Sequence, residues 1–288
     1  MAEALLAETT EKAPQLALRT AAKLWLPLGW LLAIVLGAAA APWLGLAGPA
    51  EIDILALAQP PGVGHLLGTD TLGRDLLSRI LYGARVSLVV GFCAPGLGML
   101  IGLFAGMLAG YYRGRLEATI LIAIDTLLAL PGLVVLLLFS LIFGGSLTNV
   151  SIGLGILFIP VFTRISRANT LVFAGREFVL AARAMGARDA SILVREILPN
   201  VILPVIAYAL VAVATAIVVE GGLSFLGLSV PSPQPSWGGS IAEGAESLSD
   251  APHVSLIPAL VMFLTVLSFN LVGDALRARI ADVRESAL

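Results

Sequence analysis

Cysteine, histidine and lysine are scarce in this chain: one cysteine, two histidines, and among 17 basic residues two lysines, Lys12 and Lys23. The single Cys93 cannot form an intrachain disulfide, and in its apolar run it reads as a small packing residue. His65 and His253 lie far apart and no Cys/His cluster accompanies them, which excludes a zinc-type site. The phosphate-cradling loop G-x-x-x-x-G-K-[ST] requires a lysine that follows glycines, and neither lysine does, so this polypeptide does not power itself with ATP. No nucleophilic serine elbow and no His-Glu metalloprotease pattern is present, so no enzyme active site is expected. Charge is sparse as well, at 12% of residues, and no basic stripe suggests nucleic acid.

What fills the chain instead is apolar. Hydrophobic residues make up 58% and the mean hydropathy is +0.98, values that belong to a polytopic membrane protein. About 20 apolar residues are needed to cross a hydrocarbon core of roughly 30 Å. Six runs qualify, at 24–46, 86–110, 118–142, 147–168, 201–226 and 254–275. Short loops rich in Lys and Arg stay on the cytoplasmic side. With the amino terminus inside, every basic residue except Arg74, Arg79 and Arg85 falls on the inner side, so both termini are expected there. A cleaved signal ending at AAAAPW is the competing reading of the first run. Its continuation to Leu46 and its flanking Trp25 and Trp43 favour a retained span.

Two long segments fall outside the bilayer on the outer side, 47–85 and 227–253. In the first, Leu72, Leu76, Leu77, Ile80 and Leu81 recur near helical spacing. Arg74, Asp75, Ser78 and Arg79 take mainly the opposite side, so a surface-lying helix capped by Asp70 or Thr71 is expected. In the second, prolines precede a short helix near Gly239 to Ser247. Trp237 reads as an interfacial anchor, and Trp237, Glu243 and Glu246 are candidates for an outer docking surface. Within the spans stand Asp125 and Glu220, without an evident basic partner. They are either path residues or satisfied helix–helix hydrogen bonds.

The inner side holds a polar insert, EFVLAARAMGARDASILVREILP at 177–199. Glu177 to Ala184 reads as a short helix, Gly186 punctuates it, Asp189 can cap a second helix, and Pro199 breaks that helix before the fifth span. Small Ala181, Ala182 and Ala184 allow close approach, and Met185 offers an adaptable apolar knob. A solvated connector whose arginines merely fix topology would show the same pattern.

Ala181-Ala182-x-x-x-Gly186 followed by Leu198-Pro199 resembles the EAA loop of ABC importer permeases, the cytoplasmic signature that docks on ATPase subunits. Six ordered blocks look like the dipeptide/oligopeptide/nickel permeases, and within that family like the C-type subunit. They are LGTDTLGRDLLSRILYGARVSL at 67–88, DTLLALPGL at 125–133, EFVLAARAMGA at 177–187, LPN at 198–200, EGGLSFLGLSVPSPQPSWG at 220–238 and FNLVGDALR at 269–277. One departure is Leu180, where the loop's usual Glu precedes the alanine pair; Glu177 stands a helical turn earlier.

The resemblance implies an all-α, type I ABC importer permease fold of six transmembrane helices with both termini cytoplasmic, in the cytoplasmic (inner) membrane of a prokaryote. Residues 1–23 and 277–288 would be tails around a 24–276 domain. Glu177, Ala181, Ala182, Met185, Gly186, Arg188, Leu198 and Pro199 would couple to the ATPases. The implied partners are a B-type permease, two ATP-binding subunits that carry ATP and Mg, an extracytoplasmic solute-binding protein and membrane lipid, with no cofactor on this chain. Peptide is the implied cargo, with nickel, haem or another small solute as alternatives. A secondary transporter would use intramembrane ionisable groups and often internal repeats, and a receptor subunit would keep the insert without needing a gated path.

Overall fold

A computed structural model describes residues 24–286, with side chains to residue 280; the 1–23 tail with Lys12, Arg19 and Lys23, and the Arg284 side chain, lie outside the described residues. Every regular element among them is helical, apart from one isolated bridge between Thr69 and Asp75. α1 covers Leu24–Trp43 and ends in a 3-10 turn, Ala41–Trp43. α2 is the longest helix, Leu76–Tyr112. α3 (Gly114–Leu128), α4 (Gly132–Phe143) and α5 (Leu147–Ala174) follow. α6 (Glu177–Ala184) precedes a rod made of α7 (Asp189–Ser191), a π-helical stretch (Ile192–Ile197) and α8 (Leu198–Phe225). α9 (Trp237–Ala245) and α10 (Pro252–Ser286) complete the chain.

Five of these are long and apolar enough to cross a bilayer: α1, α2, α5, the Asp189–Phe225 rod and α10. The run at 118–142, expected as one span, is a broken pair in which α3 and α4 meet at 79°. Pro131 causes the break. It has no N–H to continue α3 and disfavours helical backbone at Leu130, while its own carbonyl accepts from Val134 N at 2.9 Å and starts α4. The rod differs from expectation in the opposite sense, because Pro199 does not interrupt it. Leu198 N bonds back five residues to Leu193 O, and the wider π turn makes room for a proline ring in the ladder. α10 likewise continues through the expected tail boundary at 276.

The surface helix expected to start at Asp70 or Thr71 within the 47–85 segment is absent as a separate element. Gly73 adopts φ +79°, a backbone turn that no helix passes through, and it packs against the Asp53 backbone. α2 therefore begins at Leu76, capped by Asp75, whose carboxylate accepts from Ser78 N at 2.8 Å. Asp70 orders the preceding loop instead, accepting from Leu72 N at 2.9 Å and Arg74 N at 3.0 Å.

α2 is the central post, and α5 is its closest neighbour. Hydrophobic burial does not drive helices together inside lipid; close backbone packing does. Gly98, Gly102, Gly106 and Gly110, four residues apart, lay one face of α2 directly on α5. A Cβ on Gly102 would lie 2.6 Å from Phe162 Cβ, and one on Gly106 2.6 Å from Ser166 Cβ. One apolar core joins α2, α4, α5, α6, the π stretch and α8 through Leu103, Leu136, Phe162, Val179, Ile197 and Val205. A second joins α1, α2, α8 and α10 around Trp237.

Candidate functional site

The loop between α5 and α8 takes its shape from one glycine. Glu177 sits in the first turn of α6, where a carboxylate complements the positive helix end. Val179 and Ala182 turn inward and pack in the core with Ile192, Leu193 and Ile197. α6 then closes as a Schellman motif: Ala187 N donates to Ala182 O and Gly186 N to Arg183 O, both at 3.0 Å. Gly186 stands at φ +81° with nothing within 4 Å of a would-be Cβ, so backbone handedness rather than space demands glycine there.

The reversal leaves a ledge facing away from the bundle. Glu177, Leu180, Ala181, Met185, Gly186 and Arg188 are exposed, Met185 at 82%. Of the alanine pair, only Ala181 is outward; Ala182 belongs to the core. Leu198 and Pro199 lie in the first turn of α8; Leu198 packs against the core and Pro199 is exposed. Asp189 is not the cap of the second helix; Arg188 occupies that position without a side-chain bond. Asp189 Oδ1 instead accepts from the Tyr111 hydroxyl at 2.6 Å, and Arg183 Nη2 donates to the same hydroxyl at 3.1 Å.

Neither intramembrane acid is without partners. Asp125 on α3 accepts from Arg164 on α5 at 2.6 Å, with both side chains more than half exposed. Near it, Arg167 Nε donates to Glu117 at 2.6 Å. The expectation of an acid without a basic partner fails because Arg164, 39 residues further along the chain, stands on α5 within reach of α3. Charge facing lipid costs about 2.5–3.5 kcal/mol per residue, so this seam faces water or protein. Glu220 is fully buried and accepts from Ser224 and Ser229 hydroxyls at 2.8 Å each, with Ser87 at 3.4 Å.

At the opposite end of the bundle, the three residues expected on a docking surface part company. Trp237 is fully buried, donating from Nε1 to Ile80 O at 3.0 Å and from its backbone N to Ser87 Oγ at 3.2 Å; it is a wedge between helices, not an interfacial anchor. Glu243 binds Arg74 at 2.7 Å and Arg79 at 2.5 Å. Both guanidiniums also reach Asp70, at 2.6 and 3.3 Å, so the arginines expected at the surface are buried in a four-residue ion cluster. Glu246 alone of the three is exposed.

Comparison with known proteins places this helical bundle in a family. The binding-protein-dependent transport system inner membrane component family matches residues 98–282, from the glycine stripe into α10. The chain belongs to this family. The permease is 41% identical to the glutathione transport system permease protein GsiD of Pectobacterium atrosepticum, over 78% of its own length and 75% of that protein. It is 39% identical to a Brucella suis protein named for a peptide transport system permease, over 86% and 83% of the two chains. In fold it matches a chain of the inward-facing MetNI methionine ABC transporter with a TM-score of 0.58 at 20% identity, covering 69% of the permease and 95% of that chain.

Two features of the permease escaped the sequence reading. The glycine stripe was visible as a four-residue repeat within an apolar run. Tyr111 carried no local signal, since its partners Arg183 and Asp189 lie 72 and 78 residues further on.

Proposed function

We propose that the permease forms, with a related B-type permease, the path of an ATP-driven peptide importer in the cytoplasmic (inner) membrane of a prokaryote. Two separate ATP-binding subunits, holding ATP and Mg, grip the 177–188 ledge, and an extracytoplasmic solute-binding protein delivers cargo at the α9 end. The ledge carries this reading: short exposed helical surface fixed to two spans is suited to receiving a push. Its orientation follows from charge. Arg113, Arg115, Arg176, Arg183, Arg188, Arg195, Arg277 and Arg279 gather at the ledge end, which positive-inside retention assigns to the cytosol. At the other end Arg74 and Arg79 are neutralised within the fold, and Arg85 Nε donates to Ala38 O at 2.7 Å. Peptide cargo is supported by the names of the relatives, glutathione itself being a small peptide.

In such an assembly ATP acts by favouring one of two states, and the helices move as rigid groups. Proteoliposomes holding both permeases and both ATPases, supplied with loaded binding protein, are expected to take up labelled peptide only with ATP. Uptake driven by an ion gradient without ATP would reject this function. Gly186→Val is expected to insert and assemble normally yet uncouple hydrolysis from uptake, because it forces a β-branched residue into left-handed backbone at a cost of about 1–2 kcal/mol. Unchanged peptide transported per ATP in that variant would remove the ledge from the mechanism.

A further inference from the structure

The ledge is covalently continuous with α5 on one side and, through the π stretch, with α8 on the other. It has no covalent link to α2, the post that packs along α5 and borders both apolar cores. A push on the ledge therefore needs a non-covalent joint if it is to reach α2. Tyr111, the penultimate residue of α2, provides one.

Its hydroxyl donates to Asp189 Oδ1 at 2.6 Å and accepts from Arg183 Nη2 at 3.1 Å, while the Arg183 guanidinium stands 5.5 Å from the centre of the Tyr111 ring. One phenol thus bridges the end of α6 and the start of α7, the two arms on either side of Gly186. Its two partners carry opposite charge, so each hydrogen bond is of the stronger, charge-assisted kind. No other side-chain hydrogen bond among the described residues joins 177–191 to α2.

We propose that Tyr111 is a positioning residue for coupling: its hydroxyl, clasped between Arg183 and Asp189, ties the ledge to the inner end of α2 and delivers the ledge's displacement to that helix. α2 extends 37 residues, a rod of about 55 Å at 1.5 Å per residue. Its far end holds Arg79 in the ion cluster with Glu243 of α9. The clasp therefore connects the ATPase-facing ledge to the segment on the opposite face that would meet the delivering protein. The inference rests on the proposed importer function and adds the residue through which one helix is engaged.

The test is Tyr111→Phe in the complete complex, a change that keeps the ring under Arg183 and removes only the hydroxyl. Assembly and ATP hydrolysis are expected to persist, while peptide transported per ATP falls about tenfold, the scale of losing a hydrogen bond to a charged group. Asp189→Asn added to Tyr111→Phe is expected to cost little more, since both act on one joint. Unchanged stoichiometry in Tyr111→Phe, or independent multiplicative losses in the pair, would overturn the clasp. A second readout needs no transport, so it separates failure of the clasp from failure of the importer reading, which the parent complex's ATP-dependent uptake tests alone. Spin labels on Met185→Cys and Tyr112→Cys, with Cys93 replaced by Ala, are expected to give a narrow distance distribution that Tyr111→Phe broadens. Identical distributions with and without the hydroxyl would equally overturn it.

Discussion

Gly106→Val is expected to abolish uptake and to lower the unfolding midpoint of the purified permease sharply. A side chain at this position enters the α5 backbone near Thr163 and would put its Cβ 2.6 Å from Ser166 Cβ and 2.8 Å from Arg167 N. Overpacking a tight core costs about 1–3 kcal/mol when neighbouring side chains can shift. Here the obstacle includes main chain that is itself fixed in a helix, so the cost lies at or above the upper end of that range. The loss extends beyond one contact, because Gly102 and Gly110 are separated from α5 when the helices part. Gly96→Val on the same helix is the control: nothing lies within 4 Å of its Cβ position, and its midpoint should stay near that of the parent. Thermal unfolding in detergent, monitored by tryptophan fluorescence, checks both. Equal midpoints for the two variants would mean that α2 and α5 do not meet through this stripe.

The second large effect concerns the ion cluster at the opposite end. Arg79→Met leaves Glu243 with Arg74 alone, and Glu243→Met leaves two buried guanidiniums facing only Asp70. Breaking one side of a buried charge arrangement costs about 3–5 kcal/mol, because the remaining charge is stranded. The double variant removes one charge of each sign and keeps the Arg74–Asp70 pair at 2.6 Å. It is therefore expected to be more stable than either single variant, with a coupling energy of about 0.5–3 kcal/mol. The double variant proving as unstable as the two single losses combined would show that the four residues do not act as one cluster. Loosening α9 should also expose Trp237, which is fully buried, to aqueous quenchers of its fluorescence.

These two predictions mark where the sequence was legible and where it was not. Spans that are simple apolar runs, α1, α2, α8 and α10, announce themselves because crossing a bilayer demands length and hydropathy and little else. The α3–α4 break was hidden because hydropathy continues smoothly across Pro131, although the proline itself was the signal for it. The Arg74–Arg79 segment was misread for a deeper reason. Helical periodicity sorts polar residues to water, whereas burial of Arg79 depends on a partner 164 residues away, Glu243, together with Asp70.

The ledge was legible in outline because the helix-ending Gly186 and the small residues of α6 are local signals, although the expected cap at Asp189 and break at Pro199 were not what the fold uses. Its joint to α2 was not, since a tyrosine at the end of an apolar helix looks like any interfacial aromatic. Asp125 was hidden in the same way as Arg79: its partner Arg164 lies 39 residues further on, and only the packing of α3 beside α5 brings the pair together. Leu180, the departure from the usual glutamate, is 51% exposed on the face of α6 that also carries Glu177. The ledge therefore keeps an acidic residue, displaced by one turn.

The most direct measurement of the central claim places a single cysteine at Met185, with Cys93 replaced by Ala, in the complete complex. The expected result is labelling by a membrane-impermeant maleimide in inside-out vesicles but not in intact cells, together with a crosslink to an ATP-binding subunit whose yield changes when ATP is added. Labelling from outside intact cells, or no crosslink to any ATP-binding subunit in an assembled and active complex, would contradict the claim that a separate motor moves this bundle by its ledge.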